Sequence, residues 1–118
     1  MYSPQLLDHF EHPRNAGDLE HATARVRVEN PACGDVLELA ARVITNCIEQ
    51  MRFRAKGCVP AMACASAITE LAKGRSIEEA RAIERTDLER ALGGLPPASG
   101  HAAQLAIDAL RSLLSAKV

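Results

Sequence analysis

The stretch Ala24–Lys56, ARVRVENPACGDVLELAARVITNCIEQMRFRAK, decides the fold, because its apolar residues recur at every second position. Val26 and Val28 share one parity, as do Leu37, Leu39, Ala41 and Val43, and then Met51, Phe53 and Ala55; Arg25, Arg27, Arg42, Arg52, Arg54 and Lys56 take the other. A period of two sends alternate side chains to opposite faces of a strand, so the segment predicts three antiparallel strands with one buried and one wet face. Thr45-Asn46, between the second and third strands, supplies a hairpin turn. The arginine parity reads as an ordinary solvated surface.

On either side the period changes. Ser3-Pro4 joins a capping hydroxyl to a proline at the first helical position, and Leu6, Leu7 and Phe10 carry a helix over about Pro4–Glu11 until Pro13 stops it. After Cys58, Pro60 opens a helix whose Ala61, Cys64, Ala65, Ile68, Leu71 and Ala72 follow three-and-four spacing up to Gly74. Ser76–Glu79 and Thr86–Glu89 both fit the capping box and predict two short helices. Gly93-Gly94-Leu95-Pro96-Pro97 is a loop. A last helix runs from about Gly100 to Ala116. Strands first and helices afterwards predict an α+β fold, a three-stranded antiparallel sheet with helices packed on one face. No linker or repeat interrupts residues 1–118, which read as a single domain.

The chain has 118 residues, 47% hydrophobic but only 3% aromatic and without Trp, so its core is aliphatic and tightly packed. A formal net charge of −1 lacks the basic excess a general nucleic-acid binder needs. No apolar run approaches the ~20 residues that span a bilayer, and the opening Met-Tyr-Ser-Pro-Gln has neither a basic n-region nor an apolar h-region. The expectation is a soluble, cytoplasmic protein. Its four cysteines then read as thiols and metal ligands rather than disulfides.

Three short islands carry the chemistry: Asn30-Pro-Ala-Cys-Gly-Asp35, Lys56-Gly-Cys-Val-Pro-Ala61 and Leu95-Pro-Pro-Ala-Ser-Gly-His101. Each sets a metal ligand beside a Gly or Pro at a junction between elements. Cys33 and Asp35 flank a glycine that permits a tight turn. Cys58 precedes a helix N-terminus, where the dipole favours thiolate, and His101 begins the last helix. Two sulfurs, one nitrogen and one oxygen satisfy either a tetrahedral Zn²⁺ or the terminal positions of a [2Fe–2S] cluster. Cys64, on an apolar stripe, reads as a core residue and Cys47 as a semi-buried hydrophobe. No paired carboxylates, serine nucleophile or phosphate loop stand at catalytic spacing, and no enzyme activity is expected.

The three islands resemble those of the IscU/NifU N-terminal family of iron–sulfur cluster assembly scaffolds, whose loops read Pro-Ala-Cys-Gly-Asp, Gly-Cys-x-x-Ala and Leu-Pro-Pro-x-x-x-His-Cys. Leu7–Gly17 is similar to the family's opening Asp-His-Tyr-x-x-Pro-Arg-Asn-x-Gly, and Thr69–Ala80 to its Thr-Glu-x-x-x-Gly-x-x-x-x-Glu-Ala stretch. The resemblance implies a SufE/NifU-like fold and a non-enzymatic scaffold that transiently holds a [2Fe–2S] cluster, or zinc in the purified protein, through Cys33, Asp35, Cys58 and His101. It also implies a cysteine desulfurase as sulfur donor and apo iron–sulfur proteins as acceptors. Ala102 stands where the family has a third cysteine that is both a ligand and a persulfide acceptor. The alternative is therefore a scaffold-like zinc-binding or regulatory carrier module that no longer accepts sulfur. Leu95–Ser99 keeps the prolines of the family's chaperone-recognition segment but lacks its lysine, which leaves a chaperone partner open.

Overall fold

The computed structural model describes residues 1–115; Ala116, the expected end of the last helix, lies outside them. Three strands, β1 (Ala24–Asn30), β2 (Asp35–Ile44) and β3 (Cys47–Lys56), form one antiparallel sheet in that order. Helix α1 (Pro4–Glu11) precedes it; α2 (Val59–Ala72), α3 (Ile77–Arg81), α4 (Arg85–Ala91) and α5 (Gly100–Ser115) follow.

The registers Val28↔Leu37 and Leu39↔Phe53 bring the apolar parity of all three strands onto one face. There Leu37, Leu39, Ala41, Met51 and Phe53 are buried, whereas Val26 and Val28 on the edge strand are only half-buried. Thr45 and Asn46 turn the β2–β3 hairpin with φ of 49° and 62°, the left-handed pair that matches strand twist. A register shift between Arg42 and Val43 accommodates the turn.

Helix α2 explains the alanine-rich composition. Ala61, Ala63, Cys64, Ala65, Ala67, Ile68 and Ala72 are all buried, because the helix contacts β3, α1, α4 and α5 at once. Only small side chains let four neighbours approach a single helix so closely. Cys64 is one of these packing residues, as expected. Cys47 is half-buried, with its thiol 3.7 Å from the Gly74 carbonyl.

The capping box at Ser76–Glu79 forms as read. The second does not: α4 starts two residues earlier, with Glu84 as N-cap and Asp87 closing the box. The loop before α5 also contains a 3₁₀ turn at Pro97–Ser99. Among the described residues no helix is long and apolar enough to cross a membrane.

Helix α1 is fixed to α2 by polar contacts. Ser66 Oγ lies 2.8 Å from His9 Nδ1 and accepts from the Arg14 amide at 2.8 Å, while Thr69 Oγ1 accepts from Asn15 Nδ2. Burial first, and then the Arg14 cation, hold His9 below the usual imidazole range, against the opposing pull of Glu70 and Asp8. A depressed folded pKa means that the native state resists the proton which the unfolded chain accepts. Stability is then full above the unfolded imidazole pKa and falls as pH drops toward the folded one. Urea unfolding is expected to show a lower midpoint at pH 5.5 than at pH 7.5, with a smaller drop in His9→Gln. An equal drop in both proteins would show that other groups carry it.

Candidate metal centre

Three chain segments meet at one end of the sheet. The first is the β1–β2 connection, whose last strand pair is Asn30↔Asp35. The Asn30 side chain accepts from the Ala32 amide at 3.1 Å, and its carbonyl accepts from Cys33 and Gly34 at 3.3 and 2.8 Å. Gly34 has φ of +75°, a conformation that glycine adopts without strain. The turn leaves Cys33 exposed at the tip. Asp35, the first residue of β2, is only 2% exposed.

The second segment is the β3–α2 junction. Cys58 is the N-cap of α2, and its backbone N–H donates to Asp35 Oδ1 at 3.2 Å. Gly57 just before it has φ of +153°, and a Cβ built there would overlap the Asp35 carboxylate. Gly57 thus provides the space into which Asp35 folds. With Oδ1 engaged by the backbone, Oδ2 faces the Cys58 thiol, which donates to it at 3.5 Å.

The third segment is the start of α5. His101 Nδ1 lies 3.2 Å from the Ala98 carbonyl. A carbonyl can only accept, so Nδ1 carries the proton and Nε2 of the neutral ring offers its lone pair. Nε2 points inward, 3.5 Å from Asp35 Oδ2 and 3.9 Å from Cys58 Sγ. Ligand atoms of Cys33, Asp35 and His101 all lie within 4.8 Å of one another.

Cys33, Asp35 and His101 therefore form one cluster, and Cys58 meets it through Asp35 and His101. Bond lengths of 2.0–2.3 Å in a tetrahedral zinc site place its ligands about 3.3–3.8 Å apart. The Asp35–His101 and Cys58–Asp35 separations already fall there, and Cys58–His101 is just beyond. An oxygen, a nitrogen lone pair and a sulfur facing one another need a shared positive charge between them. Without a metal, the Cys58 S–H donates to the carboxylate.

That proton is held firmly. Burial, above all, pushes the Cys58 thiol up, and the neighbouring Asp35 carboxylate adds to this; hydrogen bonding from the Ala61 backbone opposes it. The thiolate character expected from the helix start is thus outweighed in the metal-free site, and an incoming cation must displace the proton. Cys64, deep in the core, is pushed up to about 12 by burial and stands outside the site. The sequence reading missed Gly57: a glycine beside a cysteine was legible, but the carboxylate lodged against it comes from a distant strand. The Ala102 side chain is packed in the core, 1% exposed.

A model of the NifU-like N terminal domain matches residues 1–116. The chain is 47% identical over 111 residues to the iron-sulfur cluster assembly scaffold protein IscU 1 of Archaeoglobus fulgidus, covering 94% of this chain and 72% of that protein. It is 41% identical over 118 residues to the iron-sulfur cluster assembly scaffold protein IscU of Escherichia coli K12, covering 97% and 91%. In fold it matches a candidate SUF-system scaffold from Fervidobacterium islandicum AW-1 with a TM-score of 0.82 at 19% identity, covering 97% of this chain and 96% of that one.

Iodoacetamide should sort the thiols of the metal-free protein at neutral pH. Cys33 is expected to react first, Cys58 slowly, and Cys64 only after unfolding. Raising the pH should speed Cys58, because a raised pKa leaves little thiolate at neutrality. Asp35→Asn should speed it too, by removing the adjacent negative charge. Peptide mass spectrometry follows each site, and labelling of Cys58 ahead of Cys33 would contradict this description.

Proposed function

The chain belongs to the NifU-like N terminal domain family, and we propose that it is an iron–sulfur cluster assembly scaffold whose cargo is held by Cys33, Asp35, Cys58 and His101. One observation carries the assignment of these residues: three separate segments direct a carboxylate oxygen, an imidazole lone pair and a thiol at one point, with an exposed second thiol at its rim. A scaffold binds and releases its cargo without turning over a substrate. The cargo is a [2Fe–2S] cluster, with zinc as the ion that the same donors take up in its absence.

The donor set suits a cargo that must leave. A carboxylate is a harder and weaker ligand than thiolate toward an iron–sulfur cluster. The exposed turn that bears Cys33 is the open side through which iron and sulfur enter and an apo-protein approaches. Sulfur would come from a cysteine desulfurase, its terminal persulfide sulfur bonding to the Cys33 thiolate while the donor leaves as a thiolate. Cys33 takes this role because Cys58 is half-buried, Cys64 is enclosed and Ala102 has no sulfur.

The rival reading is a zinc-binding carrier that accepts no sulfur. It draws on the same Ala102 and on the compact spacing of the donors, which fits a single ion. Anaerobic reconstitution with iron and sulfide, followed by visible absorption and metal analysis, separates the two. Wild type and Cys64→Ala are expected to develop the charge-transfer bands of a [2Fe–2S] cluster. Cys33→Ser and Cys58→Ser should not, and Gly57→Ala should lose them through displacement of Asp35. A zinc complex that forms normally in a protein unable to take up a cluster would establish the rival. Full zinc retention in the Cys33→Ser, Cys58→Ser double variant would sink the proposed site under either reading.

A second outcome tests the carboxylate. If Asp35 weakens the cage, the Asp35→Ala cluster should bleach more slowly in air than wild type. Faster bleaching would make Asp35 a net stabiliser.

A further inference from the structure

The face of the sheet turned away from the helices has no part in the site described above. It carries six cations, Arg25 and Arg27 on β1, Arg42 on β2, and Arg52, Arg54 and Lys56 on β3, against the carboxylates Glu29 and Glu38. With Asp18 and Glu49 also beside it, the face keeps a small cationic excess in a chain whose formal net charge is −1. Three of the cations have partners: Arg25 pairs with Asp18 at 2.8 Å, Arg27 with Glu29 at 2.6 Å and Arg42 with Glu49 at 3.1 Å. Among the described residues, Arg52, Arg54 and Lys56 make no ion pair.

These three lie on one strand at every second residue, which spaces them by about 7 Å. Beside them, over the small floor of Ala40, is a notch of about 40 Å³ lined by Arg25, Arg52 and Arg54 and also by Asp18 and Glu38, room for roughly one water-sized group. Arg52 is held partly in place by the Ala16 carbonyl at 3.4 Å, and its Nε is buried without a hydrogen-bond partner among the described residues. A buried guanidinium N–H with no acceptor is costly.

We propose that this face docks a protein partner that presents spaced aspartates or glutamates, which pair with Arg52, Arg54 and Lys56 along β3. A nucleic acid fits less well. A continuous row of phosphates would meet Glu38 and Asp18 within the same patch, whereas a protein can set a cation opposite Glu38. Lys56 is two residues from Cys58, and its strand partner Val36 follows Asp35. A partner seated on the stripe therefore ends at the metal centre. The proposal goes beyond the scaffold reading and stands whether or not a cluster forms.

The test is an NMR titration of ¹⁵N-labelled, metal-free protein with a peptide of glutamates alternating with glycine, at low and high salt. Shifts are expected on Ala40, Arg52, Arg54 and Lys56. Affinity should fall by about tenfold or more in the Arg52→Gln, Arg54→Gln, Lys56→Gln variant and weaken with added salt. An Arg85→Gln, Arg90→Gln variant, changed on α4, should bind as wild type does. If the triple variant does not fold, the exposed single change Arg54→Glu gives the same readout. Undiminished binding by the β3 variant, or shifts confined to α3 and α4, would overturn the proposal. So would equally tight binding of a single-stranded oligonucleotide to the same residues, which would make the face a general polyanion surface.

Discussion

The structure is organised around a helix that has no exposed side to spare. Because α2 is enclosed by β3, α1, α4 and α5, its side chains must be small, and its few polar groups must find partners inside the protein. Ser66 and Thr69 do so by accepting from the α1–β1 connection, which fixes the N-terminal segment against the core. The same enclosure fixes the head of the helix, and Cys58 is its N-cap. One proposed ligand is therefore attached to the most enclosed helix of the fold, while Cys33 sits on an exposed turn.

The buried carboxylate couples the two. Asp35 receives the Cys58 backbone N–H through one oxygen and meets the thiol and imidazole with the other. It closes the β1–β2 hairpin onto the β3–α2 junction at the point where metal ligands converge. The closure depends on Gly57, since any side chain there would occupy the carboxylate's place. Burying an acid without compensation is costly; here the backbone donor and the thiol compensate in the metal-free protein, and a cation would do so more strongly. His101 is oriented from outside the site, its Nδ1 proton given to Ala98, so the lone pair faces inward before any metal arrives.

What the sequence disclosed follows from how local each feature is. Strand parity is a two-residue pattern with one solution, and the Arg25-to-Lys56 alternation revealed the sheet, its faces and its hairpin. The start of α4 was misplaced because Thr86–Glu89 fits the capping-box pattern and Glu84–Asp87 does not; the helix nevertheless begins after Glu84, with Ile83 and Leu88 buried in the core. The four proposed ligands were legible as candidates because each lies beside a Gly or Pro that fixes the chain. The protonation of Cys58 was not. The helix dipole is a property of sequence, whereas burial and the approach of Asp35 arise from tertiary structure and outweigh it.

The alanine at position 102 shows how far fold and chemistry can be separated in such a protein. Consecutive residues of a helix point about 100° apart, so His101 can face the metal centre while Ala102 is packed among the core residues. The packing of α5 needs only a small side chain at 102, and alanine supplies it without a polar atom to satisfy. The number of thiols around the site can therefore change while the sheet, the helices and the remaining four donors stay in place. Under the proposed function, the four remaining donors would hold the cargo, and sulfur entry would fall to the one thiol left exposed, Cys33.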